Sequence, residues 1–192
     1  MARELIERDG PDGFSVAEAA RKAGVSSAAP YKHFKDRADL VHAIVSDAMD
    51  RLGQHMSMGA ARHPRGSLQS VTEMGMAYTG FARREPGVFR VMFGLTDGQN
   101  DDDVLMVKGS ATYDILRQEV ADFFGTEMGD PRVERASYLL WTVVHGHSFL
   151  TIDSKLEKMD IKLDEWTFLL EAGRRILVDL ADPDALSPQP RS

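Results

Sequence analysis

FSVAEAARKAGVSSAAPYKHF, residues 14–34, is the stretch that decides how this chain is read. Ser15 and Glu18 stand three apart in the S-x-x-E pattern of a capping box, and Phe14 occupies the position of a hydrophobic staple. Val16, Ala19, Ala20 and Ala23 follow at helical spacing and make a narrow apolar face. Gly24 ends that helix, because glycine tolerates the left-handed conformation a C-cap needs. Val25 is expected to plug the corner that follows. Ser26 or Ser27 is expected to cap a second helix, with Pro30 in its first turn, where a missing N–H costs little. Two short helices around a tight glycine turn have the shape of a helix-turn-helix. Ala28 and Ala29 are small enough to let the second helix approach base edges. Tyr31, Lys32, His33 and Lys35 supply donors directed at phosphates. An ordinary helical hairpin shares the bare turn pattern. The caps, the glycine corner and the basic second helix favour a DNA reader. Ser15, Ser26, Ser27, Ala28, Ala29, Tyr31, Lys32, His33 and Lys35 are therefore the candidate DNA-facing residues.

Charge distribution bears on that reading. The chain carries a net charge of −7 and has a pI near 5.3. From Gly13 to Arg37, however, five residues are basic and two acidic. Screening limits electrostatic reach to about 8–10 Å in physiological salt, so affinity for phosphates follows the local patch. The acidic remainder would repel DNA and help aim the basic face.

Length allows one medium domain, or a small one and a larger one, with ample core. The 192 residues include no cysteine, which excludes a disulfide framework and a thiolate metal site. No apolar run reaches the length of a membrane span and no signal pattern opens the chain, so the expected location is the cytoplasm.

Beyond Lys35 the pattern stays helical. Asp36 can cap a helix to about His55, with Leu40, Ala43, Ile44, Ala48 and Leu52 on one face. Further helices are expected from Ser67 to Arg84, around Val88 to Phe93, from Val104 to Phe124, from Asp130-Pro131 to Ile152, and from Asp160 to Leu180. Thr96 to Asp103 reads as a polar loop, and the proline-rich end as a frayed tail. No strand-like alternation is present. The expected fold is all-α with about nine helices.

Trp141 and His145 are four apart and share one helix face. With Tyr78, Phe89, Met92 and Phe93 they form a candidate ligand pocket with a polar tip. Trp166, Leu169, Gly173, Ile176 and Leu177 make a wide stripe on the last helix, and Val143 and Leu150 lie on the helix before it. These seven are the candidate dimer interface. A dimer has its own rationale, since one helix-turn-helix reads few base pairs and a twofold pair doubles the contacts. Gly146 inside a helix costs about 1 kcal/mol relative to alanine, which something must offset. No nucleophile elbow, phosphate loop or HExxH is present. His145 and His147 fall on different helix faces, and Asp97 to Asp103 lacks the spacing of a calcium loop. No catalytic residue, metal ligand or cofactor is assigned, and an enzyme is not expected.

GVSSAAPYKHFKDRADL resembles the recognition helix and following helix of TetR-type bacterial transcription regulators. The matching positions are Gly24-Val25-Ser26, Tyr31-Lys32-His33-Phe34 and Lys35-Asp36. PGVFRVMFG (86–94) and WTVVHGHSFL (141–150) resemble the C-terminal domain of a TetR subgroup named for Trp, His and Gly, here Trp141, His145 and Gly146. The resemblance implies a homodimeric repressor, bound to a pseudo-palindromic double-stranded operator and released by a small apolar or amphipathic effector. It implies a DNA-binding domain over residues 1–50, a ligand-binding and dimerisation domain over 51–182, and a tail over 183–192. ARELIERDGPDGF reads as only the second half of the family's first helix, so either that helix is short here or the start is assigned late. The competing expectation is a protein of this fold that binds ligands or partners and has lost DNA binding.

Overall fold

The computed structural model describes residues 2–10, 13, 15–94 and 103–182, the side chain of Asp103 excepted. Among them are nine α-helices, one 3-10 turn and no strand. None of these helices is long and apolar enough to cross a membrane. The expected staple at Phe14, the polar loop through residue 102 and the tail from 183 lie outside the described residues. Contacts group the chain into two compact units, residues 1–52 with 84–112, and residues 53–83 with 113–192.

The first unit begins with α1 (Ala2–Asp9). Eight residues are too few for a stable helix in water. Burial of Leu5 and Ile6 supplies what length does not. α1 packs on α5 (Pro86–Gly94). The Glu7 carboxylate accepts hydrogen bonds from the Gly87 and Val88 amides at 2.7 and 2.8 Å. These are donors that a helix start leaves without an intrahelical acceptor. A Cβ at Gly87 would stand 2.7 Å from the Ile6 carbonyl oxygen, so only glycine fits there. Glu85, just before α5, bonds Arg51 of α3 (Arg37–Ala60) at 2.9 Å and lies 3.7 Å from Arg3 of α1.

α3 starts where expected and runs five residues further. Asp36 accepts from the Asp39 amide, and Asp39 accepts in turn from the Lys35 amide, both at 2.9 Å. Its buried stripe is Leu40, Val41, Val45, Ala48, Leu52 and Met56. The stripe is rotated from the expected one, since Ala43 is exposed and Ile44 only half-buried.

The second unit contains most of α4 (Leu68–Arg84), the later part of α6 (Asp103–Phe124), α7 (Pro131–Ile152), α8 (Lys155–Lys158) and α9 (Glu165–Asp179). The buried Glu119 of α6 accepts from the Gly66 amide at 2.7 Å and from the Ser70 hydroxyl, and so anchors the start of α4. Asp130 caps α7 through the Arg132 amide at 2.8 Å, as the Asp-Pro start foretells. The last helix begins at Glu165 rather than Asp160. Asp160 takes a left-handed φ of 51°, which a helix cannot contain, and Asp164 caps α9 through the Thr167 amide at 2.8 Å.

α9 is seated by two glycine notches. A Cβ at Gly75 of α4 would lie 3.2 Å from the Leu169 side chain, and one at Gly173 would lie 3.4 Å from Leu68. Leu169, Gly173 and Leu177 are buried in their own unit. They contribute to the core of one chain. Trp166, Ile176 and Val143 are half-buried, and Leu150 is exposed.

Gly87→Ala should destabilise the protein by about 1–3 kcal/mol through backbone overpacking. Gly109→Ala, in α6 with nothing within 4 Å of an added Cβ, should stabilise it by up to about 1 kcal/mol. Urea unfolding of the two variants checks both signs.

Candidate nucleic-acid interface and effector site

The reading head is built around α2 (Val16–Lys22). Ser15 Oγ accepts from the Glu18 amide at 3.1 Å, so half of the expected capping box is present. The Glu18 carboxylate turns instead to Arg8 at 2.9 Å. Gly24 adopts φ +70°. Its amide donates to the Arg21 carbonyl and that of Val25 to the Ala20 carbonyl, each at 3.1 Å. This is a Schellman motif, and it holds the corner by backbone bonds alone. The Val25 side chain is 48% exposed and does not plug the corner. Ala23 is exposed as well, leaving Val16, Ala19 and Ala20 as the buried face of α2.

The segment after the corner is not the regular helix expected from Ser26 onward. Its helical part is a single 3-10 turn, Pro30–Lys32, with no side-chain cap from Ser26 or Ser27. Pro30 has no N–H to return to the Ser26 carbonyl. That carbonyl takes the Ala29 amide instead, at 3.0 Å, a tighter i→i+3 bond. The Pro30 carbonyl then accepts from both His33 and Phe34 at 2.9 Å. Ser15, Ser26, Ser27, Ala28, Tyr31, Lys32, His33 and Lys35 are exposed, and Ala29 is half-buried. Ser15, Ala17, Glu18, Arg21, Gly24, Val25 and Ser27 line one shallow concave surface. Sequence reading passed over Ala17 and Arg21 there. Their signal was the i, i+4 spacing, which places both on the outer face of α2.

The candidate effector residues fall into two groups. Tyr78, Trp141 and His145 come together in the second unit. The Trp141 indole N–H donates to the Tyr78 oxygen at 3.3 Å, and Tyr78 OH lies 2.8 Å from His145 Nδ1. Because the indole can only donate, the Tyr78 hydrogen is free to point at His145. Burial lowers the His145 pKa and raises that of Tyr78. Tyr113 stacks 5.5 Å from Trp141, and Phe149 lies 5.0 Å from His145. Both were missed. Phe149 was legible at i+4 from His145, whereas Tyr113 comes from another helix and left no local mark. Burial first, then the Glu134 carboxylate, pushes the Tyr113 hydroxyl up to about 12. Phe89 and Met92 are buried, and Phe93 is 36% exposed, in the first unit.

His147 faces away from this cluster. It lies 3.2 Å from the Glu165 carboxylate, which Arg83 also holds at 2.7 Å. Burial would raise the Glu165 carboxyl, but hydrogen bonds from His147 and Arg83 outweigh it and hold the value at about 2.

An all-helical chain with an exposed glycine-cornered reading head defines a helix-turn-helix DNA-binding regulator. Residues 1–44 match the family described as "Bacterial regulatory proteins, tetR family", and residues 71–172 match "Tetracyclin repressor-like, C-terminal domain". The chain belongs to the TetR family of bacterial regulatory proteins. A protein of unknown function from Rhodococcus sp. RHA1 shares the fold with a TM-score of 0.79 at 24% identity, covering 94% of this chain and 92% of that one. The TetR family transcriptional regulator PfmR from Thermus thermophilus superposes with a TM-score of 0.63 at 16% identity, covering 92% and 94%. Nucleoid occlusion factor SlmA of Sodalis glossinidius (strain morsitans) is 28% identical over 94 residues, 49% of this chain and 47% of that protein. The chain thus spans about half the length of the curated relatives it matches.

The lowered His145 pKa has a consequence for stability. The unfolded chain takes up a proton near pH 6.5, before the folded chain does. The stabilising contribution of neutral His145 is complete above that pH and is lost as pH falls through the lower folded value. His145→Gln should flatten this part of the pH–stability curve, measured by urea unfolding between pH 5 and 8.

Proposed function

We propose that this protein is a ligand-responsive transcription regulator of the cytoplasm, binding a pseudo-palindromic operator as a homodimer and acting as a repressor. The observation that carries the reading is the exposed surface from Ser15 to Lys35, fixed at its corner by Gly24 and bearing Tyr31, Lys32, His33 and Lys35. Nothing in the packing of a single chain requires basic and aromatic side chains to be displayed there. Phosphate contact gives them a use. Trp141, Tyr78 and His145 support an effector site in the helical C-terminal region, where aromatic faces meet a fixed polar tip. The Trp-His-Gly subgroup remains the finer family reading for Trp141, His145 and Gly146. In this account the effector and the operator favour different separations of the two reading heads, and their coupling is the difference in affinity for those states.

A second reading has one observation in its favour. The single 3-10 turn at Pro30–Lys32 is a shorter reading element than the sequence pattern foretells. A chain of this fold that binds partners or ligands but no longer binds DNA would need no longer one.

Fluorescence anisotropy with labelled duplex DNA from the region beside the gene separates the two readings. Saturable, salt-dependent binding is expected. Lys32→Ala should weaken binding at every sequence and reduce the salt slope by about 1. Tyr31→Ala should cost about 1 kcal/mol of affinity. Absence of duplex binding at low salt selects the second reading.

A further inference from the structure

The reading head lacks most of the side chains that read bases by hydrogen bonds. In the major groove an Asn or Gln amide pairs with adenine, a carboxylate accepts from cytosine, and an apolar group meets the methyl of thymine. Between Ser15 and Lys35 there is no Asn and no Gln. Glu18 is the one acidic residue there, and Arg8 holds its carboxylate at 2.9 Å. The cations are Arg21, Lys22, Lys32 and Lys35, and their charge suits guanine and phosphate alike.

The head displays apolar side chains instead. Ala17 and Ala28 are exposed, and Val25 is 48% exposed. That exposure departs from the motif that holds Val25. In a Schellman corner the residue after the glycine frequently packs on the last turn of its helix. Here Val25 makes the backbone bond of that position, to the Ala20 carbonyl at 3.1 Å, and leaves its side chain in the open. Val25 and Ala17 line the same shallow concavity. Ala28 lies three residues on, in the turn that the Ala29 amide and the Ser26 carbonyl close at 3.0 Å. Val25 therefore sits between two backbone-bonded turns. Its branched side chain is stiff and has little rotamer freedom to lose on contact.

We infer that the reading head recognises thymine methyl groups in the major groove, with Val25 and Ala28 as the side chains that meet them. The inference rests on the DNA-binding reading and names the base which that reading leaves open. Phosphate contacts from the cations position the head but carry no sequence information. Contact between two sets of methyl groups removes apolar surface from water on both sides. Cytosine in the same place would bring an amino group against carbon with no acceptor, which costs free energy.

Duplexes selected from a random pool by the wild-type protein define the half-site. Replacing its thymines one at a time by deoxyuridine removes a methyl group and leaves base pairing intact. At each thymine that the head meets, affinity should fall about fourfold, the worth of one buried methyl. Val25→Ala should shrink that penalty at its partner thymine to under about twofold, the coupling that a double-mutant cycle reads. Changes in duplex shape act on both proteins and cancel in the cycle. Lys32→Ala should weaken binding to both duplexes and leave the penalty at about fourfold. A half-site in which every deoxyuridine exchange leaves affinity unchanged, or one specified by guanines with no required thymine, overturns the inference and leaves DNA binding standing. A penalty that Val25→Ala and Ala28→Gly both leave intact overturns the assignment of these two side chains. Absence of duplex binding at low salt removes the DNA-binding reading and the inference with it.

Discussion

A helix that begins inside a protein leaves amide hydrogens without acceptors, and the arrangement of this chain follows from how carboxylates fill that need. Some do so locally. Asp36, Asp130 and Asp164 cap the helices that they precede. Two act at long range, and those two set the packing. Glu7 reaches from α1 to the first amides of α5, and Glu119 reaches from α6 to the turn before α4. Each long-range cap sits beside a glycine that cannot be larger, Gly87 against Ile6 and Gly66 against Asp122. Electrostatics and steric fit therefore act at the same points. Part of the acidic excess of the chain serves to hold helix starts in place.

This division between local and distant interactions explains what could be read from the sequence. The Ser15 cap, the Gly24 corner, the Asp36 start and the Asp130-Pro131 start all depend on residues within a helical turn or so of one another. The sequence showed each of them. The Pro30–Lys32 turn was misread because proline was treated as a tolerated first-turn residue. Its missing donor fell where the Ser26 carbonyl needed one, and the helix tightened to a 3-10 turn. The start of α9 was misread because Asp160 and Asp164 are equally good caps by type. Only the left-handed backbone at Asp160 separates them.

The candidate surfaces show the same limit. A stripe of Leu169, Gly173 and Leu177 reveals that these residues share a face, but not whether that face meets its own chain or another. Its own-chain contacts come from Gly75 and Leu68, which lie on a helix far earlier in the chain. Among the effector candidates, Trp141 and His145 were recognisable by their spacing on α7. Tyr78, which bridges Trp141 and His145, was legible only as an aromatic neighbour. Its bridging position becomes visible once the three groups are placed together.

The grouping of α5 with the N-terminal helices bears on modularity. Cutting the chain after Leu52 would remove Pro86–Gly94, and with it the surface on which α1 packs and the amides that Glu7 holds. Leu5 and Ile6 would lose their cover, and an eight-residue helix would have little left to keep it folded. The reading head of this protein is thus assembled from two separate stretches of the gene. Grafting its N-terminal segment alone onto another protein would transplant the contact residues without the scaffold that shapes them.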